Sequence, residues 1–256
     1  MWSWLRKSAE ASAVPVPLPD PEHRVYAIGD VHGRVDLLTK MLKQIAEDAQ
    51  NKKDERKPVL VFLGDLVDRG DQTRETLDLV IKATELWRRS VCLLGNHEVA
   101  LMSFIQDPVK GAQWLSFGGM QTCASYGVPV RKVRPDPVDL QAIALHLVQA
   151  MGSHMNLLQT MKRLYRSGDV VFAHAGIDPS LPLTAQSDDA LLWGRSAFLA
   201  NGPPAGLRVV HGHWDSHQPL VTPSRICVDT GAYYSGRLSA VRIDAQTSIL
   251  TVDLLS

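Results

Sequence analysis

Val59-Leu60-Val61-Phe62-Leu63-Gly64-Asp65-Leu66-Val67-Asp68-Arg69-Gly70 decides how the rest of the chain is read. Together with Pro58, the first half is an unbroken apolar run, the pattern of a strand buried on both faces. The second half is short, polar and bounded by glycines. A buried strand that ends in charged residues places those residues at the rim of a sheet, where ligand sites form.

The same unit recurs on either side. Arg24 to Ile28 reads as a short strand, and Val35 to Ala49 follows with Leu38, Met41, Leu42, Ile45 and Ala49 at helical spacing. Downstream, Asp71 stands at an N-cap position, Thr76 to Trp87 carries a second helical stripe, and Ser90 to Leu94 is another buried strand. Strand–helix–strand–helix–strand predicts parallel strands with helices on their faces. Residues 98 to 166 read as mostly helical, broken near Gly118-Gly119 and Pro135 to Pro137, with a Met and Leu core stripe from Met151 to Leu164. Val170 to Ala173 returns to strand, and Asp189 to Leu199 reads as one helix. Leu207 to His211, Arg225 to Val228, Leu238 to Ile243 and Ile249 to Leu254 read as strands. With no helix between them, these last strands are expected to pair antiparallel. No internal repeat or low-complexity segment is visible.

Five polar motifs punctuate this pattern, each at a strand end: Gly29-Asp30-Val31-His32-Gly33, Gly64 to Gly70, Gly95-Asn96-His97-Glu98, His174-Ala175-Gly176 and His211-Gly212-His213. Parallel strands with one crossover each have adjacent ends, so Asp30, His32, Asp65, Asn96, His174 and a histidine of the last motif converge on one pocket. Carboxylate, imidazole and amide oxygen without thiolate form a donor set for Mn, Fe or Zn. Asp30 and His32, two residues apart, point the same way and can share one metal. Asp65, central in the order, is the natural bridge between two cations. Such a pair clamps an in-line phosphoryl displacement and acidifies a bridging water, so direct attack by hydroxide needs no enzyme nucleophile. His211 competes with His213 as a ligand; Gly212 frees the chain just before His213, which favours it and leaves His211 as a supporting residue at the edge.

The wider composition agrees. Lys plus Arg equals Asp plus Glu at 27 each among 256 residues, which gives no footprint of a nucleic-acid or anionic-membrane partner. Cys92, Cys123 and Cys227 are far apart and odd in number, so neither a disulfide framework nor a zinc ribbon is expected, and a reducing, cytoplasmic setting fits. No apolar run of about 18 residues is present, so no membrane span is expected. Met1 to Lys7, with Trp2 and Trp4, leads into Pro15, Pro17, Pro19 and Pro21. Residues 1–23 are expected to be a flexible tail, and 24–256 one catalytic domain with a helical insert at about 100–165. His23, His146, His154 and His217 lack a partner pattern. Cys92 reads as core, and Glu98 as a first-turn helix residue.

The motifs match GDxHG, GDxxDRG, GNHE, HAG and GHx of the calcineurin-like metallophosphoesterase superfamily, and more narrowly resemble its bacterial phosphoprotein phosphatase branch. The resemblance spans about Val25 to Ile243 and extends to Leu191-Leu192-Trp193-Gly194-Arg195 and Asp229-Thr230-Gly231. It implies an α/β fold (an α+β sandwich) with two mixed β-sheets flanked by helices in four layers. By match, Asp30 and His32 hold the first metal, Asp65 bridges, and Asn96, His174 and His213 hold the second. His97 resembles the proton donor to the leaving alkoxide, Asp68 its partner, and Arg69 and Arg195 the residues that grip phosphate oxygens. Trp214 stands where a Thr often follows the last histidine. The reasons for such roles are physical. An alkoxide leaves badly unless protonated, imidazolium is poised to protonate it near neutral pH, and guanidinium matches phosphate with paired hydrogen bonds.

The function this implies is a metal-dependent phosphomonoesterase, a serine/threonine protein phosphatase with two divalent cations, Mn foremost and Fe or Zn as alternatives. A symmetrical diadenosine tetraphosphatase is the alternative in the same superfamily. That branch typically lacks the acidic residue at position 68, which this chain keeps. A non-catalytic binding module would be expected to have lost a ligand or an arginine, and a nucleic-acid phosphodiesterase finds no support in the charge balance.

Overall fold

The computed structural model describes residues 16–254, apart from Pro21, Lys53 and Val133. The expectation for Met1 to Lys7 lies outside the described residues. The later part of the lead is held in place: the Leu18 carbonyl accepts from Asp169 N at 3.0 Å, and Asp20 N donates to Ser167 Oγ at 3.1 Å.

Strand β1 (His23–Ile28), helix α1 (Val35–Asn51), β2 (Lys57–Phe62), α2 (Thr73–Leu86) and β3 (Ser90–Cys92) open the fold. β1 pairs parallel with β2, and β2 with β3, as the alternating pattern requires. A helical stretch follows: α3 (Asn96–Gln106), a 3₁₀ turn at Ala112–Phe117, α4 (Gly119–Ser125), α5 (Pro137–Met151) and α6 (His154–Thr160). Then come β4 (Leu164–Ser167), β5 (Val170–Ala173), a 3₁₀ turn at Leu183–Ala185, α7 (Asp188–Trp193), α8 (Ser196–Asn201), β6 (Arg208–His211), β7 (Leu220–Val221), β8 (Arg225–Cys227), α9 (Ala232–Ser235), β9 (Arg237–Ile243) and β10 (Thr247–Asp253).

The strands form two mixed sheets, ordered β10-β9-β1-β2-β3 and β4-β5-β6-β8-β7. Alternation along each strand sorts the core. Val25, Ala27, Val59 and Val61 of the first sheet meet Val170, Phe172, Val210 and Ile226 of the second in a layer between the sheets. Tyr26, Ile28, Leu60 and Phe62 face the opposite way, onto α1, α2 and the helical stretch. Val171 and Ala173 face outward onto Leu191 and Phe198 of α7 and α8. The order helices–sheet–sheet–helices is therefore the four-layer arrangement, and it explains the unbroken apolar runs: both faces of the central strands are covered.

Four local expectations are corrected. The mostly helical stretch expected to residue 166 stops short of it, since β4 begins at Leu164. The helix expected over Asp189 to Leu199 is two helices, because Gly194 adopts φ 77 and ends the first. The N-cap of α2 is Gln72, without a side-chain cap bond, not Asp71. The late strands are not all antiparallel. β9 pairs antiparallel with β10 and β1, but β6 and β8 run parallel, because the chain between them turns back through β7, which is antiparallel to β8.

Candidate dinuclear metal centre

All five motifs emerge where expected, after β1, β2, β3, β5 and β6. They meet at a cavity of about 80 Å³ lined by Asp30, His32, Asp65, Arg69, Asn96, His97 and His213. His174 lies just beneath, fully buried, with Nε2 3.6 Å from Asp65 Oδ2 and 2.9 Å from Asn96 Oδ1. Asp65 is common to two compact donor clusters, one with His32 and His97 and one with His174 and His213, their ligand atoms within 4.8 Å of one another. Asp30 is in neither three-way cluster. Its carboxylate accepts from His213 N at 3.1 Å, and Gly212 permits that approach, since a Cβ there would sit 1.9 Å from Asp30 Oδ1.

Second contacts set the imidazole tautomers. His32 Nδ1 donates to the Val67 carbonyl at 2.8 Å and His174 Nδ1 to the Leu63 carbonyl at 2.9 Å. Each ring therefore turns a lone-pair Nε2 toward Asp65, the arrangement in which histidine binds a metal. Burial first, against the partly opposing charge of Asp65, pulls His32 down to about 3. Burial pulls His213 down to about 4 and lowers His174. All three are neutral near pH 7, as metal ligation requires.

The carboxylates carry the opposite signature. Burial, then the charges of Asp229 and Asp65, hold Asp30 well above the usual carboxylate range. Burial pushes Asp229 up to about 7. Buried like charges at this density need cations, and the oxygen and imidazole donors facing them fit two hard-to-borderline divalent ions.

Beside the donors stands a polar pair. His97 Nδ1 lies 2.8 Å from Asp68 Oδ2, and both residues are buried. Burial lowers the imidazole's pKa, but the Asp65 charge and the Asp68 hydrogen bond outweigh it and leave His97 raised. Arg69 projects into the cavity, its Nη1 donating to Tyr233 Oη at 2.7 Å and its Cζ 4.8 Å from the Tyr233 ring centre. Arg195 is elsewhere. It does not line the cavity, is 40 % exposed, and pairs with Asp189 at 2.5 Å and Asp178 at 3.8 Å. His211 is buried inside β6 beside Phe198, with Nδ1 donating to the Gly212 carbonyl.

Sequence reasoning gave no site role to Asp215, Asp229 or Tyr233, which line the cavity. Asp229-Thr230-Gly231 was a visible motif; Tyr233 follows two residues later and signals nothing by itself. Glu98 stands in the first turn of α3, as expected, but it does more than favour the helix dipole. It is fully buried, and its carboxylate accepts from the backbone N–H of Asp65 (2.9 Å), Leu66 (2.7 Å), Val67 (3.2 Å) and Gly95 (2.9 Å). It is the clamp that binds the Asp65 loop to the Asn96 loop.

Known proteins resemble this chain over most of its length. The model of the calcineurin-like phosphoesterase family matches residues 23–245. The chain is 26% identical to a symmetrical bis(5'-nucleosyl)-tetraphosphatase of Methylococcus capsulatus, over 86% of this chain and 91% of that protein. It is 29% identical to serine/threonine-protein phosphatase 2 of Salmonella typhimurium, over 88% and 94%. Among solved structures, one provisionally described as a diadenosine tetraphosphatase superposes with a TM-score of 0.60 at 21% identity, covering 93% of this chain and 96% of that one.

Two outcomes are expected. Asp229 titrates near 7 when folded without metal, against 3.8 unfolded. At Asp229 the metal-free folded chain then binds more protons than the unfolded chain between about pH 4 and pH 7, so this group's contribution to stability falls as pH rises through that window, by up to a few kcal/mol, while the neutral buried histidines act in the opposite sense below about pH 6.5. Added Mn should therefore raise Tm more at pH 7.5 than at pH 5; an equal shift at both would show that the carboxylates are not relieved by the metal. Glu98→Gln turns an NH₂ toward two backbone N–H donors and should cost about 1–3 kcal/mol in denaturant unfolding; a neutral result would remove the clamp.

Proposed function

The chain belongs to the calcineurin-like phosphoesterase family, and on that footing we propose that it is a phosphomonoesterase acting on phosphoserine or phosphothreonine in proteins. The observation that carries the reading is the buried His97–Asp68 pair, Nδ1 to Oδ2 at 2.8 Å, beside Arg69 at the mouth of the metal-ligand cluster. A serine or threonine alkoxide is a poor leaving group, and this pair is what it needs.

Asp30 and His32 would hold one cation, Asn96, His174 and His213 the other, and Asp65 both. When bound, two divalent ions polarise the phosphate oxygens and lower the pKa of the attacking water; the N/O donor set favours Mn, with Fe or Zn as alternatives. Arg69 would grip two phosphate oxygens, its guanidinium already held by Tyr233. His97 would deliver a proton from Nε2, the nitrogen not committed to Asp68. Arg195 would join the phosphate only by leaving Asp189, a half-exposed ion pair that is cheap to break.

A second reading, a symmetrical diadenosine tetraphosphatase, is favoured by the Methylococcus relative of that name. The acidic residue at position 68 favours the protein phosphatase. Free thiols at Cys92, Cys123 and Cys227 support a cytoplasmic setting. Among the described residues no helix is long and apolar enough to cross a membrane.

On Mn-loaded protein, His97→Ala should slow a phosphoserine peptide by about 10²–10⁴ and p-nitrophenyl phosphate far less, because nitrophenolate needs little protonation. Equal losses would remove His97 from the acid role, and wild-type turnover of diadenosine tetraphosphate far above that of the phosphopeptide would make the second reading the right one.

A further inference from the structure

Asp68 is held by more than the histidine it serves. Trp114 Nε1 donates to Asp68 Oδ2 at 2.8 Å, and Thr122 Oγ1 donates to Asp68 Oδ1 at 2.7 Å. The Asp68 N–H in turn donates to Thr122 Oγ1 at 3.0 Å, so a single hydroxyl grips both the backbone and the carboxylate of a residue whose φ is 70. A hydroxyl has one proton. Because Thr122 gives that proton to Asp68 and accepts from the Asp68 amide, the Thr73 hydroxyl, 3.2 Å away, must be the donor in their contact. The chain of bonds has one consistent direction, and it ends on an acceptor-only carboxylate.

That direction fixes the imidazole. With Trp114 and Thr122 already donating, Asp68 accepts from His97 Nδ1–H as well, and Nε2 is left facing Arg69 Nη2 at 3.2 Å and Asp65 Oδ2 at 4.0 Å. The indole of Trp114 is only 2% exposed, packed in the helical core beside Phe104, and Gly119 lies too close against it to carry a side chain. Its N–H therefore cannot drift. The same segment also binds the neighbouring arginine, since Arg69 N donates to the Gly118 carbonyl at 3.3 Å.

We propose that Trp114 and Thr122 are positioning residues for proton delivery: they fix the Asp68 carboxylate, and through it aim His97 Nε2 at the leaving oxygen. The inference rests on the acid role given to His97 above. It also gives the helical stretch between β3 and β4 a part in the chemistry, because the segment from Trp114 to Thr122 is the wall against which the Asp68–Arg69 turn is built.

The test is a leaving-group series on Mn-loaded protein. It runs from p-nitrophenyl phosphate through aryl phosphates of rising leaving-group pKa to a phosphoserine peptide, for wild type, Trp114→Phe, Thr122→Val, Thr122→Ser and His97→Ala. Loss of one charge-assisted hydrogen bond should lower kcat on the peptide roughly 10-fold in Trp114→Phe and in Thr122→Val. The loss on p-nitrophenyl phosphate should be about threefold or less, Mn affinity by calorimetry should be unchanged, and Thr122→Ser should recover most of the peptide activity. Equal losses across the series, or no loss on the peptide, overturn the proposal. If His97→Ala steepens the dependence on leaving group and the two clamp variants do not, this inference alone fails. If His97→Ala leaves the dependence flat, the acid reading fails with it.

Discussion

Buried negative charge is the constraint around which this molecule is organised. Asp30, Asp65 and Asp229 lie within a few per cent of full burial at the shared edge of two sheets, and carboxylates so placed repel one another and lack water. Nothing among the apolar layers offsets that. The imidazoles of His32, His174 and His213 are neutral, Arg69 at the cavity is engaged with Tyr233, and Arg195 pairs with Asp189 away from it. Divalent cations would resolve the conflict, and the donors that face the cavity are those such cations take. Site and fold are coupled in that case: the sheets bring the carboxylates together, and bound ions would make their proximity tolerable.

The backbone shows where the fold bears the strain. Among the described residues the non-glycine positions with positive φ are His32, Asp65, Asp68, Arg69 and His213. Four of them line the cavity, and Asp68 pairs with His97, which lines it too. Left-handed backbone costs a non-glycine residue about 1–2 kcal/mol, and it persists here because the surroundings over-determine it. Glu98 holds the amides of Asp65, Leu66 and Val67, Thr122 holds the amide of Asp68, and the Asp30 carboxylate holds the amide of His213. The conformations that aim the side chains are thus fixed by acceptors buried beside them rather than by the loops' own preferences.

Much of this was legible in the sequence. Strands covered on both faces leave unbroken apolar runs, so β1, β2, β5 and β6 could be read within a residue or two, and polar motifs at their ends pointed to the cavity. What escaped did so for physical reasons. β4 follows a helical stripe without a breaker, and its four residues are too few to show a period. The parallel pairing of β6 and β8 depends on the path of the intervening chain. Glu98 and Trp114 act through backbone amides and a single N–H, contacts that leave no pattern of their own. Arg195 shared its motif with Trp193 and Gly194, yet a motif does not say which partner a long, exposed side chain takes, here Asp189.

The central claim is that one carboxylate joins two cations. Crystals equilibrated with Mn and measured for anomalous scattering test it directly. Two peaks per chain about 3.5–4 Å apart, with the Asp65 side chain between them, are the expected result; a single ion, or two ions that share no ligand, would contradict the account.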